Sequence, residues 1–202
     1  MRLTTLVVLI SVCGSTASSG LKPVLAQESR PSSQAPAGWF LAGSKPASYR
    51  TGVDTQVLHY GRPSAYLASQ VQDTGGFGTL MQSIAASKFA GKRIRLQAWV
   101  QSSDVASWAG LWMRVDKGTS TVAFDNMQTR AIRGTQPWTS YDVVLDVPQD
   151  ATGISFGTLL DGPGQIWISD VTLDVVSMDV QPTGTMSVHQ LPETPVNLDF
   201  QQ

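Results

Sequence analysis

Residues 136–175 decide the fold class, and they read QPWTSYDVVLDVPQDATGISFGTLLDGPGQIWISDVTLDV. Apolar residues recur at every second position before Pro148, which is typical of a half-buried strand: Val143, Leu145 and Val147. Pro148 ends this run because it has no backbone N–H to donate to a neighbouring strand. Two further strand-like segments begin at Ile154 and Ile166, and the turn sequence Asp161–Gly164 separates them. The stretch therefore predicts three consecutive β-strands.

The clearest alternation in the chain lies upstream, in residues 92–101 and again in residues 109–116. In the first segment the apolar positions are Ile94, Leu96, Ala98 and Val100. Residues 102–107 are mostly small and polar, so they predict a loop between two separate strands, and Trp108 is read as part of that loop. No comparable helical periodicity is present. The sequence therefore predicts an all-β, antiparallel β-sandwich.

The order of motifs resembles a known family. Trp138-x-x-Tyr141 is followed by Val-x-Leu-x-Val-Pro, an Ile-x-Phe strand and Gly-x-Gly-x-x-Trp-x-x-Asp-Val. This order resembles the last strands of galactose-binding-like jelly rolls, which include many carbohydrate-binding modules. The upstream run AGLWMRVDKG resembles a small bacterial module that is found alone or attached to other proteins, and that is often labelled a transcriptional regulator because of the proteins that carry it. The likeness covers residues 38–176 and implies a jelly-roll fold.

The first 26 residues predict a secretory signal peptide. Arg2 supplies a short positive region, residues 6–12 form a compact apolar stretch, and residues 24–26 (VLA) form a small-residue cleavage site. Lipidation of Cys13 and an uncleaved anchor are the alternatives to cleavage after Ala26. Each of these outcomes places the domain outside the cytoplasm, so we expect a secreted or periplasmic protein.

The remaining chain divides into three parts. Residues 27–37 are rich in Pro, Ser and Ala and predict a disordered linker. Residues 38–180 form the β-sandwich domain, and residues 181–202 form a tail. The tail contains an Asn-x-x-Phe pattern in residues 195–200, a pattern that related jelly rolls place before a Gly-Trp pair. Our hypothesis is that residues 195–200 supply a closing edge strand; the alternative is an unstructured tail.

The charge balance argues against nucleic acid as a partner. The chain has a net charge of −1, and removal of Arg2 and Lys22 with the leader leaves −3. Eight basic residues lie between Lys88 and Arg133, and nine acidic residues follow Arg133. Two interpretations are open: complementary charges that pair across neighbouring strands, or a basic patch that meets an acidic partner.

Catalytic motifs are missing from the sequence. The two histidines, His59 and His189, are far apart, no Gly-x-Ser-x-Gly motif is present, and the one cysteine, Cys13, lies in the leader. These facts give no support to a catalytic triad or a zinc site, so we expect no enzyme activity and assign no catalytic residue. The resemblance implies that a structural calcium ion is common in such folds, but no segment has a recognisable ligand spacing, so no metal ligand is assigned.

A binding site is the stronger prediction. A sugar site needs a flat aromatic ring beside groups that hydrogen-bond to hydroxyls. Outward-facing residues of that composition occur on the two strands and on the later strand: Arg95, Gln97, Trp99, Trp112, Arg114 and Asp142. The alternative is that both tryptophans are packed and both arginines are paired to carboxylates. We therefore predict an exported, non-catalytic module that binds a carbohydrate or cell-envelope glycan; the alternative is a structural or protein-interaction domain without a sugar site.

Overall fold

The computed structural model describes residues 34–186. It contains ten strands in chain order: β1 (Phe40–Gly43), β2 (Tyr49–His59), β3 (Arg62–Ser69), β4 (Phe77–Ala85), β5 (Lys92–Lys117), β6 (Ser120–Asp125), β7 (Ile132–Val147), β8 (Gly153–Asp161), β9 (Gln165–Val176) and β10 (Thr185–Met186). The described residues contain two short 3-10 helices, Pro46–Ser48 and Gln128–Arg130. A search of the same residues finds no helix long and apolar enough to cross a membrane. The predicted all-β class is confirmed.

Strand β5 belongs to two sheets. Its first half pairs with β7 and β9, and its second half pairs with β8 and β6. We call the first layer sheet A, with the order β7-β5-β9-β3-β2, and the second layer sheet B, with the order β1-β4-β8-β5-β6-β10. All pairs are antiparallel. The predicted antiparallel sandwich is confirmed.

The prediction that a loop divides β5 is wrong. Residues 102–107 stay extended and continue to pair with β7, where Ser102 lies opposite Gln136 and Val105 lies opposite Gly134. The register shifts in this region, and Asp104 has a left-handed φ of 52°. Small and polar residues thus form a bent part of one strand rather than a break, because bulges of this kind let a strand turn from one sheet into the other.

Both halves of β5 bury their apolar positions in one core. Ile94, Leu96, Ala98 and Val100 are buried in the first half, and Leu111, Met113 and Val115 are buried in the second. Side chains alternate along a strand, so the intervening residues of each half point away from this core. Because the two halves lie in opposite layers, these outward residues lie on opposite surfaces of the molecule.

The three strands predicted from residues 136–175 are present as β7, β8 and β9. The turn between β8 and β9 requires glycine at Gly164, where φ is 137° and a Cβ atom would lie 2.8 Å from the Asp104 carbonyl oxygen. Two aromatic residues of the motif tie the sheet A strands to β2. Trp167 Nε1 donates to Asp54 Oδ2 at 2.9 Å, and Trp138 Nε1 donates to the Leu58 carbonyl oxygen at 3.1 Å.

The predicted signal peptide and the predicted closing strand, residues 195–200, lie outside the described residues, as does most of the predicted linker. The sheet pairing continues to Met186, because β10 pairs with β6 at Ala123 and Phe124. Thr183 also exchanges backbone and side-chain hydrogen bonds with Val144 on β7. Residues 181–186 therefore pack on the sandwich.

Candidate functional site

The structure places the six predicted site residues on two surfaces. Arg95, Gln97 and Trp99 project from the outer face of sheet A, where Asp142 lies directly opposite Gln97. Trp112 and Arg114 project from the outer face of sheet B. The structure therefore does not bring the six residues to one face. The physical reason is the continuity of β5, which carries one alternating pattern across both layers.

On sheet A, Trp99 packs against side chains of the same molecule. Its indole ring lies 4.7 Å from the His59 imidazole, and Tyr60 contacts it edge-on at 6.4 Å. The His59 ring also lies 5.0 Å from the Trp138 ring. Gln97 Nε2 donates to Ser140 Oγ at 3.1 Å. Trp99 is therefore half-buried by internal contacts, while Tyr60 beside it is 80% exposed.

Asp170 anchors that aromatic cluster. The His59 Nδ1 atom lies 2.6 Å from Asp170 Oδ2, and Arg62 Nη1 lies 2.6 Å from Asp170 Oδ1. The hydrogen bond from His59, assisted by the positive charge of Arg62, holds the pKa of the Asp170 carboxyl below its usual value. Asp170 has a left-handed φ of 50°, a conformation that Asp tolerates better than most residues.

Arg95 has no comparable partner. Its Nε atom is buried without a hydrogen-bond partner among the described residues. The residue lies between Val144 on β7 and Asp174 on β9, and no described carboxylate forms an ion pair with it. The neighbouring Asp146 is paired with Arg93 through two hydrogen bonds of 2.6 and 2.8 Å.

On sheet B, the outward side chains surround a cleft of about 500 Å³. Most of its lining is apolar or aromatic: Ala42, Gly43, Phe77, Met81, Trp108, Trp112, Phe124 and Leu159. Its polar lining comprises Thr79, Arg114, Asn126 and Asp161. Residues of five neighbouring strands thus build one concave surface, which is the usual form of a small-ligand site.

Trp112 forms the floor of this cleft. Its indole Nε1 donates to Thr79 Oγ1 on β4 at 2.7 Å, although β8 lies between β5 and β4. Trp112 is opposite Gly157, and a glycine there leaves room above β8 for the flat ring. Adjacent strands lie about 4.8 Å apart, so the indole must extend over β8 to reach Thr79. The ring is thereby fixed in the sheet surface, with 8% of the residue exposed.

Charged groups lie at the two ends of the cleft. Arg114 Nε donates to Asp116 Oδ2 at 2.9 Å, and its two terminal nitrogens have no partner among the described residues. At the other end, Asp161 Oδ2 accepts a hydrogen bond of 2.9 Å from Ser107 Oγ. Burial raises the pKa of the nearby Tyr49 hydroxyl, and the negative charge of Asp161 adds to this shift.

Trp108 and Asp161 line the cleft but are not among the six predicted site residues. In the sequence Trp108 follows a segment that predicts a loop, and Asp161 begins a predicted turn. The available signal was the spacing of β5: Trp108, Trp112 and Arg114 are separated by even numbers of residues, so an unbroken strand places them on one face. The polar segment before Trp108 concealed that continuity.

The described residues contain no group of three or more His, Cys, Asp or Glu side chains that could hold a metal ion. We therefore assign no ligands to the calcium ion that the resemblance implies. No step of ligand binding is assigned to a metal.

Comparison with known proteins identifies one curated relative of high identity. No family model matches the chain. The relative is the "Uncharacterized HTH-type transcriptional regulator YbfP" of Bacillus subtilis, which is 43% identical over 167 residues. The match covers 82% of this chain and 57% of the relative, so the chain spans little more than half of that protein. Residues 34–186 contain only the two 3-10 helices described above, so they do not form a helix-turn-helix.

Solved structures share the fold at low sequence identity. The CBM22-1 xylan-binding domain of Paenibacillus barcinonensis Xyn10C is 12% identical, with a TM-score of 0.50 over 72% of this chain and 90% of that domain. A cyclase from Fischerella sp. TAU is 15% identical, with a TM-score of 0.53 over 77% of this chain and 92% of the cyclase. These likenesses confirm the resemblance seen in the sequence: the chain has the galactose-binding-like jelly-roll fold of carbohydrate-binding modules.

Proposed function

We propose that the protein is a non-catalytic glycan-binding module and that the cleft on sheet B is its binding site. The observation that carries this proposal is the composition of the cleft. Trp108 and Trp112 lie along its floor, and Arg114, Asn126 and Asp161 lie around it. Aromatic rings offer apolar faces on which sugar rings stack, and guanidinium, amide and carboxylate groups hydrogen-bond to hydroxyls.

The spacing of the two tryptophans favours an oligosaccharide. Trp108 and Trp112 are four residues apart on one face of β5, which corresponds to about 13 Å along the strand. A single sugar ring is shorter than this distance. A ligand that extends along the cleft from Trp108 to Trp112 therefore contains several sugar units, and the likeness to a xylan-binding domain supports this class of ligand.

The arrangement of acidic groups favours binding over catalysis. Glycoside cleavage commonly uses two carboxyl groups that flank the scissile bond. Asp161 is the one carboxylate among the residues that line the cleft in the described part of the chain. His59 belongs to the sheet A cluster, so it is separated from the cleft by the core. The location of the protein is a separate part of the proposal: the predicted signal peptide supports export to the compartment where envelope glycans occur.

Calorimetric titration of the purified protein with soluble oligosaccharides and peptidoglycan fragments tests the proposal. We expect saturable binding that weakens about tenfold or more in Trp108→Ala, because loss of a stacking platform costs about 1.4 kcal/mol or more. Trp112→Phe keeps the floor apolar and should weaken binding less. Trp99→Ala is the matched control on the opposite face and should bind like the wild type.

Two results would overturn the assignment. Wild-type protein that binds none of the glycans would favour the alternative, a protein-interaction domain of the cell envelope. Binding that is lost in Trp99→Ala but retained in Trp108→Ala would move the site to sheet A.

A further inference from the structure

One end of the sheet B cleft combines a carboxylate with two aromatic rings. Asp161 on β8 lies opposite Trp108 on β5 and opposite Phe77 on β4. All three residues line the cleft. Neighbouring strands are about 4.8 Å apart, so the carboxylate stands in a row between an indole and a phenyl ring.

This carboxylate is not neutralised by an ion pair. Among the described residues, the recorded partner of Asp161 is Ser107, whose Oγ donates to Oδ2 and leaves Oδ1 without a hydrogen bond. Arg114 is committed through Nε to Asp116 at the other end of the cleft. Arg133, the second residue of β7, donates to the Ser107 carbonyl oxygen and forms no ion pair with Asp161. Among the described residues, the Asp161 carboxylate therefore has no ion-pair partner within 4.0 Å, although Arg133 is held nearby through Ser107.

We infer that the Asp161 end of the cleft is a subsite for an organic ammonium group. A cation near an aromatic face is attracted by the ring quadrupole, and an adjacent carboxylate adds a direct ion pair. Both contributions are available between Trp108 and Phe77. A divalent metal fits less well, because calcium requires six or more oxygen ligands and the subsite offers one carboxylate.

This inference rests on the proposed glycan-binding function and deepens it. It names the ligand class as a glycan with free amino groups, such as an oligomer of glucosamine. Trp112 and Arg114 would then contact neutral sugar units, since Arg114 is already compensated by Asp116. The Asp161 end and the Arg114 end of the cleft are separated by six residues of β5, about 20 Å. The amine and the neutral sugar units of one ligand would therefore contact different residues.

The experiment compares three ligands of equal length: a glucosamine oligomer, the N-acetylated oligomer and a neutral xylo-oligosaccharide. Calorimetry at mildly acidic pH keeps the amine protonated. We expect the glucosamine oligomer to bind most tightly, and we expect Asp161→Asn to weaken its binding about tenfold more than it weakens binding of the neutral ligands, so that the preference for the amine is lost. Added salt should reduce the preference in the wild type, because it screens the ion pair.

Two variants control this measurement. Asp174→Asn removes an exposed carboxylate on the outer face of sheet A and should leave the preference unchanged. Phe77→Leu keeps an apolar side chain but removes one ring, and it should lower the preference for the amine without unfolding the protein, because Phe77 is 38% exposed. Thermal melting of each variant checks that the fold is intact.

The outcomes separate the inference from the proposed function. Glycan binding that is equally strong for amine and neutral ligands would overturn the inference and leave the proposed function standing. An amine preference that survives in Asp161→Asn would also overturn it, because the charge would then lie elsewhere. Absence of binding to all three ligands and to the other glycans would overturn the proposed function itself.

Discussion

The outer faces of the two sheets carry similar residues in different states. On sheet A, Trp99 stacks with His59, and Tyr60 contacts it edge-on. On sheet B, Trp112 is fixed by a hydrogen bond to Thr79, and its surroundings remain an open cleft. The same strand and the same outward alternation produce both arrangements. What differs is how each indole is held: Trp112 is buried in the sheet surface with 8% of the residue exposed, whereas Trp99 is half-buried against His59 and Tyr60.

The difference shows that an outward tryptophan is not by itself evidence of a binding site. The hairpin between β2 and β3 ends at Tyr60 and Gly61, close enough to β5 for His59 to cover Trp99. On sheet B, no aromatic ring of the described residues stacks on Trp112. Instead, Gly157 on β8 leaves room for the Trp112 ring to lie along the sheet and form a floor.

The largest effect is expected from a change in that floor. In Gly157→Ala the new Cβ atom would lie 2.2 Å from the Leu80 carbonyl oxygen and 2.8 Å from Met81 Cα, both backbone atoms of β4. We expect the free energy of unfolding to fall by about 3 kcal/mol, because the added methyl group overpacks against the backbone of β4. Glycan binding should also be lost.

Gly153→Ala is the matched control on the same strand. Its Cβ would meet only the Ile84 carbonyl oxygen at 3.9 Å, which is ordinary contact. Chemical denaturation should give this variant a stability within about 0.5 kcal/mol of the wild type. Equal stability of the two variants would show that the close approach of Gly157 to β4 does not require glycine.

An intermediate effect is expected on sheet A. Trp99→Ala removes the ring that packs on His59, and we expect the free energy of unfolding to fall by about 2 kcal/mol. Because the core separates the two faces, glycan affinity should not change. Denaturation and calorimetry on the same preparation check both statements. A variant that keeps full stability but loses glycan affinity would reverse the roles of the two faces.

The sequence was sufficient to predict the fold, and the reason lies in its alternation. Core positions such as Ile94 and Leu111 recur with a period of two, and this alternation is the same whichever strands are neighbours in the sheet. The site depends on a different kind of information. Trp112 shares a surface with Trp108 and Asp161 because residues 102–107 continue the strand, and polar residues in a bent strand resemble a loop in sequence.

Long-range contacts were equally inaccessible. Trp99 is covered by His59, which is 40 residues earlier in the chain, and no local pattern indicates that contact. Charge pairing was partly foreseeable: the basic segment does meet the later acidic segment, as Arg93 pairs with Asp146 and Lys117 with Asp150. Other arginines pair within their own region, as Arg130 does with Asp125.

The smallest effect concerns the pH dependence of the sheet A cluster. The pKa of Asp170 lies below its usual value because His59 donates to it and Arg62 is close. Ionised Asp170 therefore contributes stability that is fully present above the unfolded pKa, about 3.9, and that is lost as the pH falls through the lower folded value. Asp170→Asn should remove this contribution while keeping a residue that accepts the left-handed backbone.

Denaturation of the wild type and of Asp170→Asn across this range tests the cluster. We expect the wild type to be more stable at neutral pH and the difference to shrink below about pH 4. Asp174→Asn, on the same strand but without an ion pair among the described residues, should show no such convergence. Glycan affinity of Asp170→Asn should equal that of the wild type, because the cluster lies on the face opposite the cleft. A stability difference that stays constant with pH would mean that Asp170 acts through backbone conformation rather than through its charge.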